Sequence, residues 1–460
     1  MNISLNKIYT FLFFMGLFFL PFNSWEGIEE FGEFKRESSA IFLFLGFFIL
    51  SIEILFSGKI LIPYNNYVFK LILLFLLWCI VATTLNALSI SNFYYKQTTG
   101  LMRFIRQYFA LILSSILYFL VYWYSITRMS NKQVLYTIRK VFLFSFIVVS
   151  IYGFLEILYS VFGFYPAYSL LRLFDYFPFT EYDSDINNRI SSVCWEPPAL
   201  ATYLITVAGW MFSYMLTNNG IKKFFPTLMV LILTYYSGSR TALVVIVIQL
   251  IVFLYIILNR KQLIKSLLYF LCSIVLFSSI IVLSNGDKVI KNIESKIESL
   301  DFKGNLKKNM SNQSRFGIQY ANLLVFVENP IIGVGFGQQG FHALNHYPIW
   351  AKKDNYEFKA IYLNKSNPAF PPGYNLYIRL LAEAGLIGFG LFLFLFYVVF
   401  KKLKYSLKNN QDENKILNII LIISFIGFAM NWLQMDTFRI YGFWICLAIF
   451  LKTDKNRIND

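Results

Sequence analysis

Charged residues are scarce. Asp, Glu, Lys and Arg make up 14% of the 460 residues and hydrophobic residues 57%, against about 25% and 45–50% in soluble domains. Apolar runs recur along the whole chain and the mean hydropathy is +0.57, so lipid must accept most of the apolar surface. That excludes a cytosolic enzyme with an added anchor. Cysteine is equally sparse: Cys79, Cys272 and Cys446 lie inside apolar runs and Cys194 at a loop edge. No pair is placed for a disulfide and no CxxC spacing suggests zinc, so all four read as small packing residues. His342 and His346 share one polar stretch and are too few for a histidine metal cage, so neither a metal nor a cofactor is expected.

Acid is the scarcer sign, 25 residues against 41 Lys and Arg, a net charge of +16. A nucleic-acid surface would set that surplus in a stripe interleaved with aromatics. Here it falls in short clusters between apolar runs, so no nucleic-acid partner is expected. No repeat of 20 to 50 residues and no low-complexity tract is visible.

A spanning helix needs ~20 mostly apolar residues, because hydrocarbon leaves backbone polar groups no other partner. About twelve such runs are present, near 9–25, 39–57, 67–88, 104–126, 140–163, 197–217, 222–237, 239–258, 264–284, 374–400, 414–432 and 437–451. Lys7 before the first run resembles a signal peptide. No small-x-small cleavage site follows, and Pro21 to Trp25 continue the run, so it reads as a retained helix.

Lys and Arg in short loops orient the chain. A cytoplasmic N-terminus puts Arg128, Lys132, Arg139, Lys140, Lys222, Lys223, Arg260, Lys261 and Lys265 inside, with Lys401, Lys402, Lys404, Lys408, Lys452, Lys455 and Arg457. The opposite face receives Glu26 to Glu37, a loop with Asp175, Glu181, Asp183 and Asp185, and a long segment, 285–373. The expectation is an all-α polytopic membrane protein of about twelve transmembrane helices. Helices one to nine occupy 1–284, a large extracytoplasmic loop with a surface helix follows over 285–373, and helices ten to twelve and a cytoplasmic tail fill 374–460.

Ionisable groups at span ends are costly and mark function or a compensated pair. Arg103 and Arg106 begin span four, and Glu156 lies in the outer half of span five. Arg189 and Glu196 flank the start of span six, and Arg240 starts span eight. Arg379 and Glu383 sit in the first turns of span ten, with Asp436 and Arg439 in the last outer turn. In this topology they converge on one face, where a basic cavity suits a ligand with a phosphate near the headgroups and a long lipid tail. Plainer readings stand beside this one. Arg379 and Glu383, four residues apart, can neutralise one another, and Arg103 and Arg106 can reach lipid headgroups. Arg240 is the only charge in a minimal turn between two spans, so its guanidinium faces either headgroups or an interior partner, of which an interior ligand is the favoured reading. Asn375, Arg379 and Glu383 advance about 40° per step, one polar stripe backed by Gly385, Gly388 and Gly390, where another helix can approach.

In the long loop, Ser311 or Ser314 is placed to cap a helix over 315–327 that lies on the membrane surface and presents Arg315. Phe316, Tyr320, Leu323 and Val327 fall on one side, and Asn329-Pro330 stops it. Residues 333–340 contain a literal GxGxxG, but without a βαβ unit or a following acid. Its glycines either turn amides toward an anion or permit a tight re-entry to the membrane. Asp183-Ser184-Asp185 resembles a metal-holding DxD but reads as solvated loop acids.

Four segments together resemble the O-antigen polymerase and O-antigen ligase superfamily of polytopic membrane glycosyltransferases. They are Arg189-Ile190-Ser191-Ser192 leading to Glu196-Pro197-Pro198-Ala199-Leu200; Ser239-Arg240-Thr241-Ala242; Arg315 followed by 329–335; and Tyr374-Asn375-Leu376-Tyr377 with 383–388. The resemblance implies a GT-C-like transferase in the bacterial inner membrane, with both termini cytoplasmic and a periplasmic active face. Donor and acceptor would be undecaprenyl-pyrophosphate-linked oligosaccharide, with membrane lipids and a chain-length regulator as further partners. A polymerase passes the growing chain to the next lipid-linked repeat; a ligase passes it to lipid A-core. Ligases of the family carry His where this chain has Tyr374, which favours the polymerase and leaves His342 or His346 open as a spatial substitute.

By the same resemblance Arg189, Arg240, Arg315 and Arg379 would bind the pyrophosphate. Arg240 would also take part in catalysis, Glu196 would serve as base or fix an arginine, and Tyr374 and Asn375 would orient sugar or phosphate. Arg103, Arg106, Glu156, His342, His346 and Glu383 are secondary candidates. A transporter is the rival class; against it, the chain halves show no repeat and the polar residues sit at one face rather than at the midplane.

Overall fold

A computed structural model describes residues 5–182, 189–258, 265, 268–273, 275–276, 310–409 and 412–455. Among the described residues, eight helices are long and apolar enough to cross a membrane. They are α2 (Ser38–Ser57), α3 (Tyr67–Leu85), α4 (Gly100–Thr127), α5 (Asn131–Val161), α6 (Pro197–Thr217), α8 (Arg240–Leu258), α10 (Leu376–Asn409) and α11 (Asp412–Asn431). Three further apolar helices are shorter: α1 (Leu5–Phe18), α7 (Phe225–Tyr236) and α12 (Tyr441–Lys455), of 14, 12 and 15 residues. The protein is therefore a mostly helical, polytopic membrane protein. These helices fall on eleven of the twelve expected runs. Most of the run at 264–284, the start of the long loop and Asp183-Ser184-Asp185 lie outside the described residues.

Local chemistry sets the helix starts. Asn66 caps α3 by accepting the Val68 N–H at 2.9 Å, and Ser130 with Gln133 forms a capping box on α5. Pro197 and Pro198 open α6, where a missing N–H costs nothing. Deep in the bundle, Gln249 of α8 donates to the carbonyls of Ile205 and Ile423, 3.1 Å each, tying α6 to α11. A buried amide in an apolar span is used in this way to join helices.

The two ends of the bundle differ. At one end Arg128 meets Glu53 at 2.6 Å, Lys132 meets Glu413 at 3.3 Å and Lys402 meets Asp454 at 2.6 Å. Lys452 donates there to Asn131 at 2.9 Å. Most of the basic clusters read as cytoplasmic gather here. The opposite end carries residues 20–37, 83–100, 189–196, 236–240, 310–375 and 432–441.

At that end α10 is broken. Gly385 has φ 64° and ψ −168°, and the backbone groups released by the break bond to the glycine-rich segment. Val334 donates to Ala382 O at 2.9 Å, Gly335 to Glu383 O at 3.0 Å, and Leu386 donates to Pro330 O at 2.8 Å. Irregular backbone at membrane depth is tolerated where protein pairs it in this manner. Gly385 was expected to admit another helix; it admits backbone instead, since a Cβ there would stand 2.2 Å from Ile331 O. Gly388 lies against Trp78 of α3.

The loop helix, α9, spans Met310–Glu328, so Ser311 and Ser314 lie inside it rather than at its cap. It buries Gly317, Ile318, Ala321 and Val325, while Tyr320, Leu323 and Val327 face outward.

Candidate active site

The segment from Arg189 to Glu196 is held from below by Glu156. The buried Glu156 carboxylate accepts the Ser192 N–H at 2.6 Å and the Ser191 N–H at 3.4 Å. Ser192 takes φ 54° and its hydroxyl donates to Val149 O at 2.8 Å. Glu156 thus spends its acceptor oxygens on backbone and acts as the mount of the segment. Ile190 N–H donates to Tyr236 O, and Arg189 Nε donates to Ser237 O at 3.0 Å, so the segment is tied to the turn that leads into Arg240. Gly238, at φ 65°, leaves room for this: a Cβ there would come within 2.7 Å of Arg189 Nε.

Arg240 opens α8 with its guanidinium 3.5 Å from Asn312 Oδ1 of α9. One turn further along α9, Arg315 lies over the Tyr374 ring, 5.2 Å from its centroid, and its buried Nε has no hydrogen-bond partner among the described residues. The three arginines come from a loop, a helix start and α9, and they share a field. Burial pushes the Arg189 guanidinium below its ordinary pKa, and the neighbouring Arg315 and Arg240 push the same way. Burial raises the Glu196 carboxyl, while Arg315, Arg189 and Arg36 pull it back down. Three guanidiniums, those of Arg315, Arg189 and Arg36, act on one carboxylate, a surplus of positive charge that an added anion relieves. Planar forks of this kind match phosphate oxygens two at a time.

Tyr374 stands just before α10 with φ 53°, and its hydroxyl is 2.6 Å from that of Tyr362. Burial raises both phenols. The neighbouring Asn375 uses its side-chain oxygen on Ile378 N–H at 3.1 Å, a helix cap. Neither Tyr362 nor Arg36 stood out in the sequence. Tyr362 ends a π-helical turn, Glu357–Tyr362, whose composition carries no signal, and Arg36 sits in an ordinary charged stretch.

Arg379 is differently placed. Its Nε meets Glu383 at 3.1 Å, and its two terminal nitrogens donate to Asp436 O at 2.8 Å and Gln107 Oε1 at 2.9 Å. All three nitrogens are engaged by protein, so this guanidinium fastens α10 to α4 and to the 432–441 connection. Glu383 is fully buried, the acid of that pair. Arg103 donates to Gly337 O at 2.7 Å over the Phe370 ring, and Arg106 is exposed on α4. His346 pairs with Glu328 at 3.2 Å, and His342 meets the Phe93 ring edge-on. Their contacts lie with these groups rather than with Tyr374. Burial lowers the His342 pKa. In the glycine-rich segment the Val334, Gly335 and Phe336 amides are spent on Ala382 O, Glu383 O and Thr83 Oγ1.

Residues 225–393 match a family model described as O-Antigen ligase. That stretch holds Arg240, Arg315, Tyr374, Asn375, Arg379 and Glu383; Arg189 and Glu196 precede it. No curated protein matches the chain. The class is thus a polytopic membrane protein. Over residues 225–393 the chain is similar to the O-antigen ligase family.

Proposed function

We propose that the protein is a surface-polysaccharide polymerase of the O-antigen type. It transfers a glycan from undecaprenyl pyrophosphate to the next lipid-linked repeat at the periplasmic face of the bacterial inner membrane. The observation that carries this reading is the gathering of Arg240, Arg315 and Glu196 around Arg189, with Arg315 and Arg189 both acting on Glu196. The acceptor hydroxyl oxygen attacks the anomeric carbon while the bond from that carbon to the pyrophosphate oxygen breaks. The electron pair leaves on the diphosphate, where the guanidiniums stabilise it without a metal. The hydroxyl proton passes to Glu196, whose raised pKa suits a base. Tyr374, under Arg315, orients the transferred sugar, and Asn375 holds the start of α10. Arg379 we assign to fastening the walls of the site. The end of the bundle with few paired basic clusters supports the periplasmic placement, and both termini would then be cytoplasmic.

A ligase that delivers the glycan to lipid A-core is the second reading, favoured by the description of the matching family. Tyr374, where ligases carry His, supports the polymerase. The test is purified protein with lipid-linked repeats and neither nucleotide sugar nor metal, resolved on a gel. A ladder of lengthening products is expected; unchanged repeats refute the proposal. In cells, loss of long chains with single repeats still attached to lipid A-core marks a polymerase, and loss of every attachment marks a ligase.

A further inference from the structure

Glu196 also lines a cavity of about 380 Å³. It extends from Trp195 to Thr206 along α6, roughly 15 Å, and is walled by the 20–37 connection and by residues 435–442. Its size falls in the range of small-ligand pockets, about 300–1,000 Å³. None of Arg189, Arg240 and Arg315 lines it.

Its charge differs from that of the trio. The lining holds three acids, Glu33, Glu37 and Glu196, and three bases, Lys35, Arg36 and Arg439. Most are spent on protein: Arg439 meets Glu37 at 2.9 Å, Tyr441 donates to Glu37, and Lys35 pairs with Glu29. Glu196 and Arg36 have no hydrogen-bonded side-chain partner among the described residues. The two stand at the mouth with Trp195, whose indole is 46% exposed and has the Arg36 guanidinium 5.2 Å from its centroid. The Trp195 N–H is fixed on Asn23 Oδ1 at 2.9 Å. A balanced, partly apolar chamber with an aromatic plate, one free donor fork and one free acceptor does not suit a diphosphate. It suits an uncharged ring with C–H faces and hydroxyl edges.

We infer that this cavity is the acceptor subsite, holding the terminal neutral sugar of the acceptor glycan, with Glu196 shared between it and the donor diphosphate site. The inference rests on the transferase reading. Trp195 stacks on the sugar, Arg36 takes a hydroxyl, and Glu196 receives the proton of the attacking one.

The test uses the full chain in lipid nanodiscs and two probes, the lipid-free repeat oligosaccharide and undecaprenyl pyrophosphate. Ala199→Phe fills the cavity, and Trp195→Ala removes the plate without adding bulk. Both are expected to weaken oligosaccharide binding roughly tenfold and to leave undecaprenyl pyrophosphate binding within about twofold; Arg315→Ala is expected to do the reverse. Oligosaccharide binding indifferent to both cavity variants, or lost equally in Arg315→Ala, overturns the inference. So does competition by undecaprenyl phosphate for the site that Ala199→Phe blocks, which would make the cavity a tail pocket. If these arms behave as expected and the wild-type protein still transfers no glycan, the polymerase reading fails and the sugar site stands.

Discussion

The carboxylate of Glu156 and the backbone N–H of Ser192 meet at 2.6 Å, and this contact sets the position of Arg189. Ser192 holds a left-handed φ that a non-glycine residue adopts only when its surroundings impose it. Glu156→Ala leaves two buried amides without an acceptor, a cost of about 1–3 kcal/mol. Thermal melts should show lower stability, and turnover should fall with it because Arg189 loses its seat. Glu156→Gln keeps one acceptor and should lose less.

Arg240→Lys preserves charge and removes the planar fork. Glycan transfer should fall roughly 10- to 100-fold at unchanged expression, because a point charge cannot engage two phosphate oxygens at fixed geometry. Wild-type chain length in this variant would refute the assignment of Arg240.

Glu196 accepts a proton only when ionised, and burial raises its pKa. Transfer rate should therefore climb with pH through a value above the ordinary carboxylate range and fall as pH drops below it. Rate profiles of the wild type should show that limb, and Glu196→Gln should be slow and lack it.

Arg379 and Glu383 form a buried pair at 3.1 Å. Arg379→Met strands the acid, and the expected loss is about 3–5 kcal/mol; adding Glu383→Leu should recover a large part. Melting of the two variants in detergent checks the order. A double variant no more stable than the single would contradict the pairing.

Gly385→Ala forces a Cβ against Ile331 O at a φ of 64°. Size-exclusion traces should show loss of folded protein, the strain alone costing about 1–3 kcal/mol. Gly390, five residues on, has open space around its Cβ position, and Gly390→Ala should elute as the wild type does.

Much of the bundle is legible along the chain. Apolar runs predict the helices because each span satisfies its own backbone and declares itself by length and hydropathy. Arg240 stood out for the same reason, as a lone charge in a minimal turn. Glu156 was visible as a costly residue, yet its role was not, since its partners are amides 35 and 36 residues away. Arg379 looked like a ligand group, because nothing along the chain shows Gln107 and Asp436 meeting it. Helix α9 had its outward side visible, but its buried side mixes Ile318, Ala321 and Val325 with Ser314, Gly317 and Asn322, a stripe weaker in hydropathy than the outward Tyr320, Leu323 and Val327.

Composition and periodicity by themselves determined that this chain lives in a membrane, where its helices run, and which end of the bundle collects the basic clusters, since these depend on residue-by-residue partition between lipid and water. Only the tertiary structure decided which charges are already satisfied by protein and which remain available: the filled guanidinium of Arg379, the unpaired Nε of Arg315, the break at Gly385 closed by residues 330–335. Those outcomes depend on contacts between segments far apart along the chain, 57 residues for Arg379 with Asp436 and 272 for Arg379 with Gln107, and the pairing of polar groups is settled by geometry that no local pattern encodes.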